Sequence, residues 1–170
     1  MKHKFLAILT SLLFASLACA QNQALIQLRV YSLAKPLDTM KIKALGSFDT
    51  KRSPVFLQVK PTEAARLEKM IAAEGGKLIS SPSVRTLLGQ KASIKMSGDN
   101  SVSFEVTPTS KSDTITMQYR LEVSQKEGRT RTTRASSGFA RLIQTERMLI
   151  IQNPRTGEPG LIVILQATKL

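Results

Sequence analysis

The sequence predicts a β-rich α+β domain, with mixed or antiparallel sheets and one covering helix, placed after a cleaved leader. Three observations carry this. Segments with strict two-residue alternation recur at short spacing along the chain; only one stretch, residues 61–74, has helical periodicity; and two continuous apolar runs, RMLIIQ and LIVILQ, lie near the end. Alternation marks strands with one buried face, and unbroken apolar runs mark strands covered on both. Several such strands around one helix give an α+β layer arrangement.

In order along the chain, Lys2, His3 and Lys4 precede an apolar stretch from Phe5 to Leu17, and Ala18-Cys19-Ala20 is a small-x-small cleavage site. This is the pattern of a secretory signal peptide over residues 1–20. An uncleaved anchor would need about 20 apolar residues, and Ser16 stands where lipoprotein sites carry an aliphatic residue. Peptidase cleavage before Gln21 is the reading taken. Residues 21–170 then form a single domain, large enough to bury about two-thirds of its unfolded surface without disulfides.

Residues 23–33 (QALIQLRVYSL) alternate as a half-buried strand, with Ile26, Leu28 and Val30 on one face. Residues 34–54 hold Pro36, Gly46 and Pro54 and keep no period, so they read as an irregular excursion. A short strand at 55–59 stops at Pro61. The helix of 61–74 has Ala64, Leu67 and Ile71 on one stripe, with Thr62 as expected cap and Glu63 in the first turn. Gly75 and Gly76 are expected to end it with positive φ.

KLIS and SVRTL are two strands separated at Ser81-Pro82, where the proline should keep the chain extended while it changes partner. Leu88-Gly89-Gln90 turns into KASIKM, with Ala92, Ile94 and Met96 on one face. After the Gly98-Asp99-Asn100 turn, Val102, Phe104 and Val106 alternate in a strand that Pro108 should end. Residues 110–113 turn into the longest alternation, Ile115 to Val123. Lys126-Glu127-Gly128 then leads to a basic, Thr-rich strand. The apolar runs at 147–152 and 161–166, joined by 154–160, complete the chain.

The run Gly76, Leu78, Ile79, Ser80, Ser81, Pro82, Val84, Thr86, Gln90, Ala92 and Ile94 resembles the core β-domain of the secretins, the outer-membrane channels of type II and type III secretion and type IV pilus systems. FEVTPTSKSDTITMQYRLEVSQ, with Pro108 in its Val-Thr-Pro, and the closing pair ERMLIIQ and GLIVILQATKL resemble the family's later strands. The resemblance spans residues 23–170 except 34–54. It implies a structural or assembly role in secretion, protein partners in the cell envelope, homo-oligomerisation as the family's mode, and a place in the periplasm or at the periplasmic face of the outer membrane. Three departures accompany it. Residues 98–100 turn back where channel-forming members insert a gate, the closing strand runs Gln166-Ala167-Thr168 instead of ending in Thr-Pro, and the N-terminal docking modules have no counterpart. A complete channel formed by this chain alone is therefore not expected.

Charge and composition restrict the chemistry. The chain has a formal net charge of +13, and loss of Lys2 and Lys4 with the leader leaves +11. Its one His (His3) and one Cys (Cys19) leave as well, and there is no Trp. Metal or acid–base chemistry would fall to scattered carboxylates such as Asp99, Glu105, Asp113 and Glu122, whose spacing makes no motif. Ser80-Ser81-Pro82-Ser83 has no base beside it and reads as a break between strands. The expectation is a protein that is not an enzyme and takes no cofactor or metal. Ile115 to Val123 is long enough to cross a membrane as a strand, but Arg120 and Glu122 on its second face favour a half-buried strand. Lys126, Arg129, Arg131 and Arg134 form a candidate anion-binding edge for lipid head groups or an anionic polymer, weighed against a charged edge that discourages strand pairing. Nucleic acid is not expected, since Phe139 alone supplies no stacking series.

Overall fold

The computed structural model of the chain describes residues 22–35, 55–98, 100–127, 130–152 and 160–170. The leader, nearly all of the 34–54 excursion, Asp99, Arg129 and most of the 154–160 connection lie outside them. Within them the architecture is the β-rich α+β class, built as three layers. Ten strands and one helix follow in the order β1 (Gln23–Leu33), β2 (Val55–Val59), α1 (Pro61–Ala73), β3 (Lys77–Ser80), β4 (Ser83–Leu87), β5 (Ala92–Met96), β6 (Ser101–Lys111), β7 (Thr114–Glu127), β8 (Thr130–Ile143), β9 (Arg147–Gln152) and β10 (Gly160–Lys169).

A six-stranded sheet has the order β2-β9-β10-β1, with β3 and β4 both pairing with β1; a four-stranded sheet has the order β5-β6-β7-β8. All pairings are antiparallel. Even-numbered β1 residues (Ala24, Ile26, Leu28, Val30) meet Phe104, Met117, Tyr119 and Leu121 of the other sheet in one core. On the opposite face, Leu149, Ile151, Ile162 and Ile164 pack under Leu67 and Ile71 of α1 in a second core. This explains the unbroken apolar runs. β9 and β10 lie inside the six-stranded sheet, between the second sheet and the helix, so both of their faces are dry.

The helix begins two residues earlier than a Thr62 cap would require. Lys60 is the N-cap and Pro61 is the first helical residue, where its missing N–H costs nothing. Glu63 supplies the side-chain contact instead, its Oε2 accepting from the Lys60 N–H at 2.9 Å. At the other end only Gly75 takes the left-handed region, at φ 76°. The N–H groups of Gly75 and Gly76 donate to Ala72 and Ile71 at 3.2 and 2.8 Å, a Schellman closure. Gly76 serves another purpose: a Cβ there would lie 2.3 Å from Ile71 Cγ2.

The expected change of partner at Ser81-Pro82 does not occur. β3 and β4 both lie against β1, and the register of Val30↔Ser80 continues unchanged into Gln27↔Ser83. The ladder is even kept across the break, since the Leu28 N–H donates to the Pro82 carbonyl at 2.9 Å. Pro82 only fails to return an N–H. The register instead shifts between Val30 and Tyr31, where Leu78 and Ser80 face consecutive β1 residues and Ile79 is extra.

Pro108 does not end its strand either. β6 runs through it to Lys111. In an antiparallel ladder a residue's N–H and C=O point to the same side, and the Pro108 carbonyl accepts from Gly89 at 2.6 Å, away from β7. β5 pairs with β6 only from Val102 to Val106, so the proline nitrogen faces the side where no strand donor is needed. The following hairpin is tighter than 110–113, with Ser112 and Asp113 as its loop and Ser112 at φ 55°. Met96 alternates on the same face as Ala92 and Ile94 but is 41% exposed, and its sulfur accepts the Ser80 hydroxyl.

Candidate interaction surfaces

The motif that gave the family resemblance is assembled on one side of the domain. Ser80, Ser81, Pro82 and Thr86 lie along the β3–β4 edge of the six-stranded sheet. Gly89, at φ 81°, makes the turn Leu87–Gln90, closed by the Gln90 N–H on the Leu87 carbonyl at 3.1 Å. The Thr86 hydroxyl bridges towards the Leu87 and Gln90 carbonyls at 3.4 Å. Ala92 and Ile94 then enter the second sheet, half-buried against the core. These residues form a corner at which the edge strand of one sheet becomes the edge strand of the other. None of their contacts is with a group poised for chemistry.

The basic residues of the β7–β8 hairpin are divided. Lys126 and Arg131 stand directly opposite one another on the outer face, because the alternate residues Val123 and Gln125 are buried. Arg131 Nη2 also donates to the Gly98 carbonyl at 3.4 Å. Arg134 pairs with Val123 and so belongs to the inward-facing set of its strand. Arg129 lies outside the described residues.

The rest of the outer face of the four-stranded sheet is a charged surface. Lys91 and Glu105 pair at 2.8 Å, and Arg120 and Glu122 at 2.7 Å. The Lys91 ammonium, followed by the more distant Arg120 and Lys95, holds the Glu105 carboxyl below the usual carboxylate range. Its contribution to stability is present above the ordinary carboxylate pKa and is lost as pH falls through the depressed one; solvent screening keeps it small. In Lys91→Ala, carboxyl-detected NMR titration should show the Glu105 midpoint moving up towards the ordinary range, and an unchanged midpoint would refute the pairing. Glu105 and Glu122 are thus engaged by cations. Asp113 lies in the hairpin turn, roughly 20 Å or more along β7 at about 3.4 Å per residue. Among the described residues no group of three metal-ligating side chains occurs, and no helix is long and apolar enough to cross a membrane.

Sequence reasoning missed how the four-stranded sheet ends. Among the described residues β5 pairs only with β6 and β8 only with β7. The Arg141 carbonyl at the β8 edge accepts from Gln58 Nε2 of β2, whereas the Gln144 N–H, of opposite parity, turns inward to Asp113 at 3.3 Å. Odd-numbered β8 residues therefore direct their backbone groups out of the sheet, and even-numbered ones towards β7. Beside this edge Phe139 is 76% exposed and Phe56 of β2 is 46% exposed. They border a shallow groove that also reaches Met148.

Compared with protein-family models, the chain matches none, and no curated protein matches it.

Proposed function

We propose that the chain is an exported, non-enzymatic β-domain of secretin type that works by protein–protein contact in the cell envelope, in a structural or assembly role tied to protein secretion or pilus systems. The observation that carries the reading is the four-stranded sheet, whose edges, five-residue β5 on one side and 14-residue β8 on the other, have no further strand partner among the described residues. An edge of β5 laid on the β8 edge of a second copy is a head-to-tail interface, and such interfaces close into rings when the rotation per copy permits. The three-residue return at 98–100, where a gate would be inserted, supports a scaffold and not a complete channel.

The test uses backbone direction. Ser137→Pro removes an N–H that points out of the sheet, whereas Ser136→Pro removes one that points to Leu121 of β7. Analytical ultracentrifugation and negative-stain imaging of the unaltered protein should show a ring-sized particle. Ser137→Pro should remain folded and sediment as a monomer, while Ser136→Pro should lose the fold. A strict monomer at high protein concentration, or a Ser137→Pro variant that assembles normally, would sink the proposal.

A second reading, a periplasmic binding module for anionic lipid or polymer, is favoured by one feature. Lys126 and Arg131 stand directly across a strand pair on the outer face, so two positive charges are presented side by side to anions in solvent. Charge reversal at both should then abolish salt-sensitive binding to vesicles rich in anionic lipid.

A further inference from the structure

We propose that the cleft between α1 and the Ser81-Pro82-Ser83 break binds a small carboxylate, with Arg147 as its principal anchor. The proposal is independent of assembly, because the cleft lies on the helix-covered face of the six-stranded sheet.

The starting observation is a row of polar residues where the fold calls for apolar ones. Pairing aligns Ser83, Gln27, Gln166, Arg147 and Val59 across five strands. On β10, β9 and β2 the neighbouring rows of the same face are Ile164, Leu149 and Leu57, then Ile162, Ile151 and Val55, all buried beneath the helix; on β1 these rows carry Arg29 and Tyr31. On β10 and β9 the apolar pattern therefore gives way at the row of Gln166 and Arg147, beside Gln27 and Arg29 of β1. A row needed only to support the helix would continue the apolar pattern.

Above this row the helix leaves space. Its wall over the cleft is Pro61, Ala64, Ala65 and Glu68, so two of the four side chains are single methyl groups. The facing wall is Ser81, Pro82 and Ser83, and the volume enclosed is about 290 Å³. At about 30 Å³ per water that is room for roughly ten waters, or for a ligand of a few carbons with a polar head.

Charge selects the ligand. Arg29 Nη1 is satisfied by Glu68 Oε1 at 2.6 Å. Among the described residues Arg147 makes no ion pair; its Nη1 donates to its neighbours' backbone carbonyls, Glu146 at 3.2 Å and Thr145 at 3.5 Å. Burial, and after it the positive charge of Arg29, pushes the Arg147 guanidinium down from its usual pKa. Two guanidiniums and one carboxylate leave a single positive charge, which matches a monoanion. The N-terminal end of α1, represented by Pro61, adds a partial charge of the same sign. A carboxylate is planar and suits the remaining edge of an arginine fork, while the Gln27 and Gln166 amides can donate to it.

Two sources could present such a group: a free organic acid, or the carboxyl terminus of a polypeptide. Titrations at constant ionic strength, followed by NMR of the arginine Nε–H groups and the Gln27 and Gln166 amides, would use acetate, acetyl-diglycine and amidated acetyl-diglycine. Saturable shifts localised to the cleft are expected. Acetate and acetyl-diglycine binding equally would assign a free acid. Acetyl-diglycine binding at least tenfold tighter, with the gain lost on amidation, would assign a polypeptide terminus. Arg147→Lys keeps the charge but loses the fork, and should weaken binding about tenfold with an unchanged melting temperature. Gln166→Glu places a carboxylate inside the cleft and should block the added one. Linear, unsaturable shifts, shifts insensitive to both variants, or tighter binding of inorganic phosphate than of any carboxylate would overturn the proposal.

Discussion

Replacing Gly76 by alanine should cost about 3 kcal/mol, at the upper end of what overpacking a core usually does. The added Cβ would lie 2.3 Å from Ile71 Cγ2, 2.8 Å from the Ile71 carbonyl oxygen and 3.1 Å from Leu33 Cδ2. Ile71 and Leu33 are 0% and 1% exposed, so neither side chain has anywhere to go. The backbone cannot retreat either, because the Gly76 N–H is bonded to that same carbonyl at 2.8 Å. Gly75→Ala is the informative partner. Nothing lies within 4 Å of its Cβ position, and the penalty comes only from φ +76°, about 1 kcal/mol. Urea denaturation would measure both. A Gly76→Ala variant within 0.5 kcal/mol of the parent would mean that the helix end does not press on β1 as described. Combining it with Ile71→Ala should be less than additive, since the worst contact is removed.

Phe104→Ala should be the most damaging truncation in the sandwich, with a loss of about 4 kcal/mol. Phe104 is 1% exposed on β6, opposite the middle residue of β5, in the core shared with Leu28, Val30 and Val163 of the opposite sheet. A cavity there is bounded by two sheets that cannot close over it without bending. Against a typical total of about 5–15 kcal/mol, the variant should unfold at much lower urea with an unchanged slope. Phe139→Ala, at a residue 76% exposed, should stay within about 0.5 kcal/mol. If the two phenylalanines gave similar losses, the assignment of inner and outer faces to the four-stranded sheet would be wrong.

What the sequence made legible was whatever a short window decides. The faces of β1, β6 and β7 follow from alternation alone, and the α1 stripe from Ala64, Leu67 and Ile71. The unbroken apolar runs of β9 and β10 announced burial on both sides. The two errors at prolines depend on where a distant strand stops. Pro108 is tolerated because β5 ends opposite Val106, a fact held in residues 92–96 and not in the window around the proline. Ser81-Pro82 keeps its partner because β1 is long enough to serve both halves of the edge. The polar row of the cleft was unreadable for the same reason. Gln27, Gln166 and Arg147 become neighbours only through the registers of β1 with β10 and of β10 with β9. The basic hairpin shows the reverse case. Four cations close in sequence looked like one patch, yet strand parity sends Arg134 to the other face from Lys126 and Arg131.

The pairing of β1 with β10 also governs the order of events in folding. The central strand pair joins the first described strand to the last, from Ala24↔Lys169 to Leu33↔Gly160, and the Leu170 N–H reaches the Gln23 carbonyl at 3.0 Å. Closing a loop of that length costs about 4 kcal/mol beyond the constant for any loop, and both cores wait on it, because Leu161, Val163 and Leu165 face one and Ile162 and Ile164 the other. A chain emerging N-terminus first can build the β6–β7–β8 meander from local contacts, but it cannot seal either core until its final ten residues arrive. High contact order of this kind slows folding. It also places the two ends of the domain side by side, so a circular permutant joined there and opened at the Ser112–Asp113 turn should retain the native sheets.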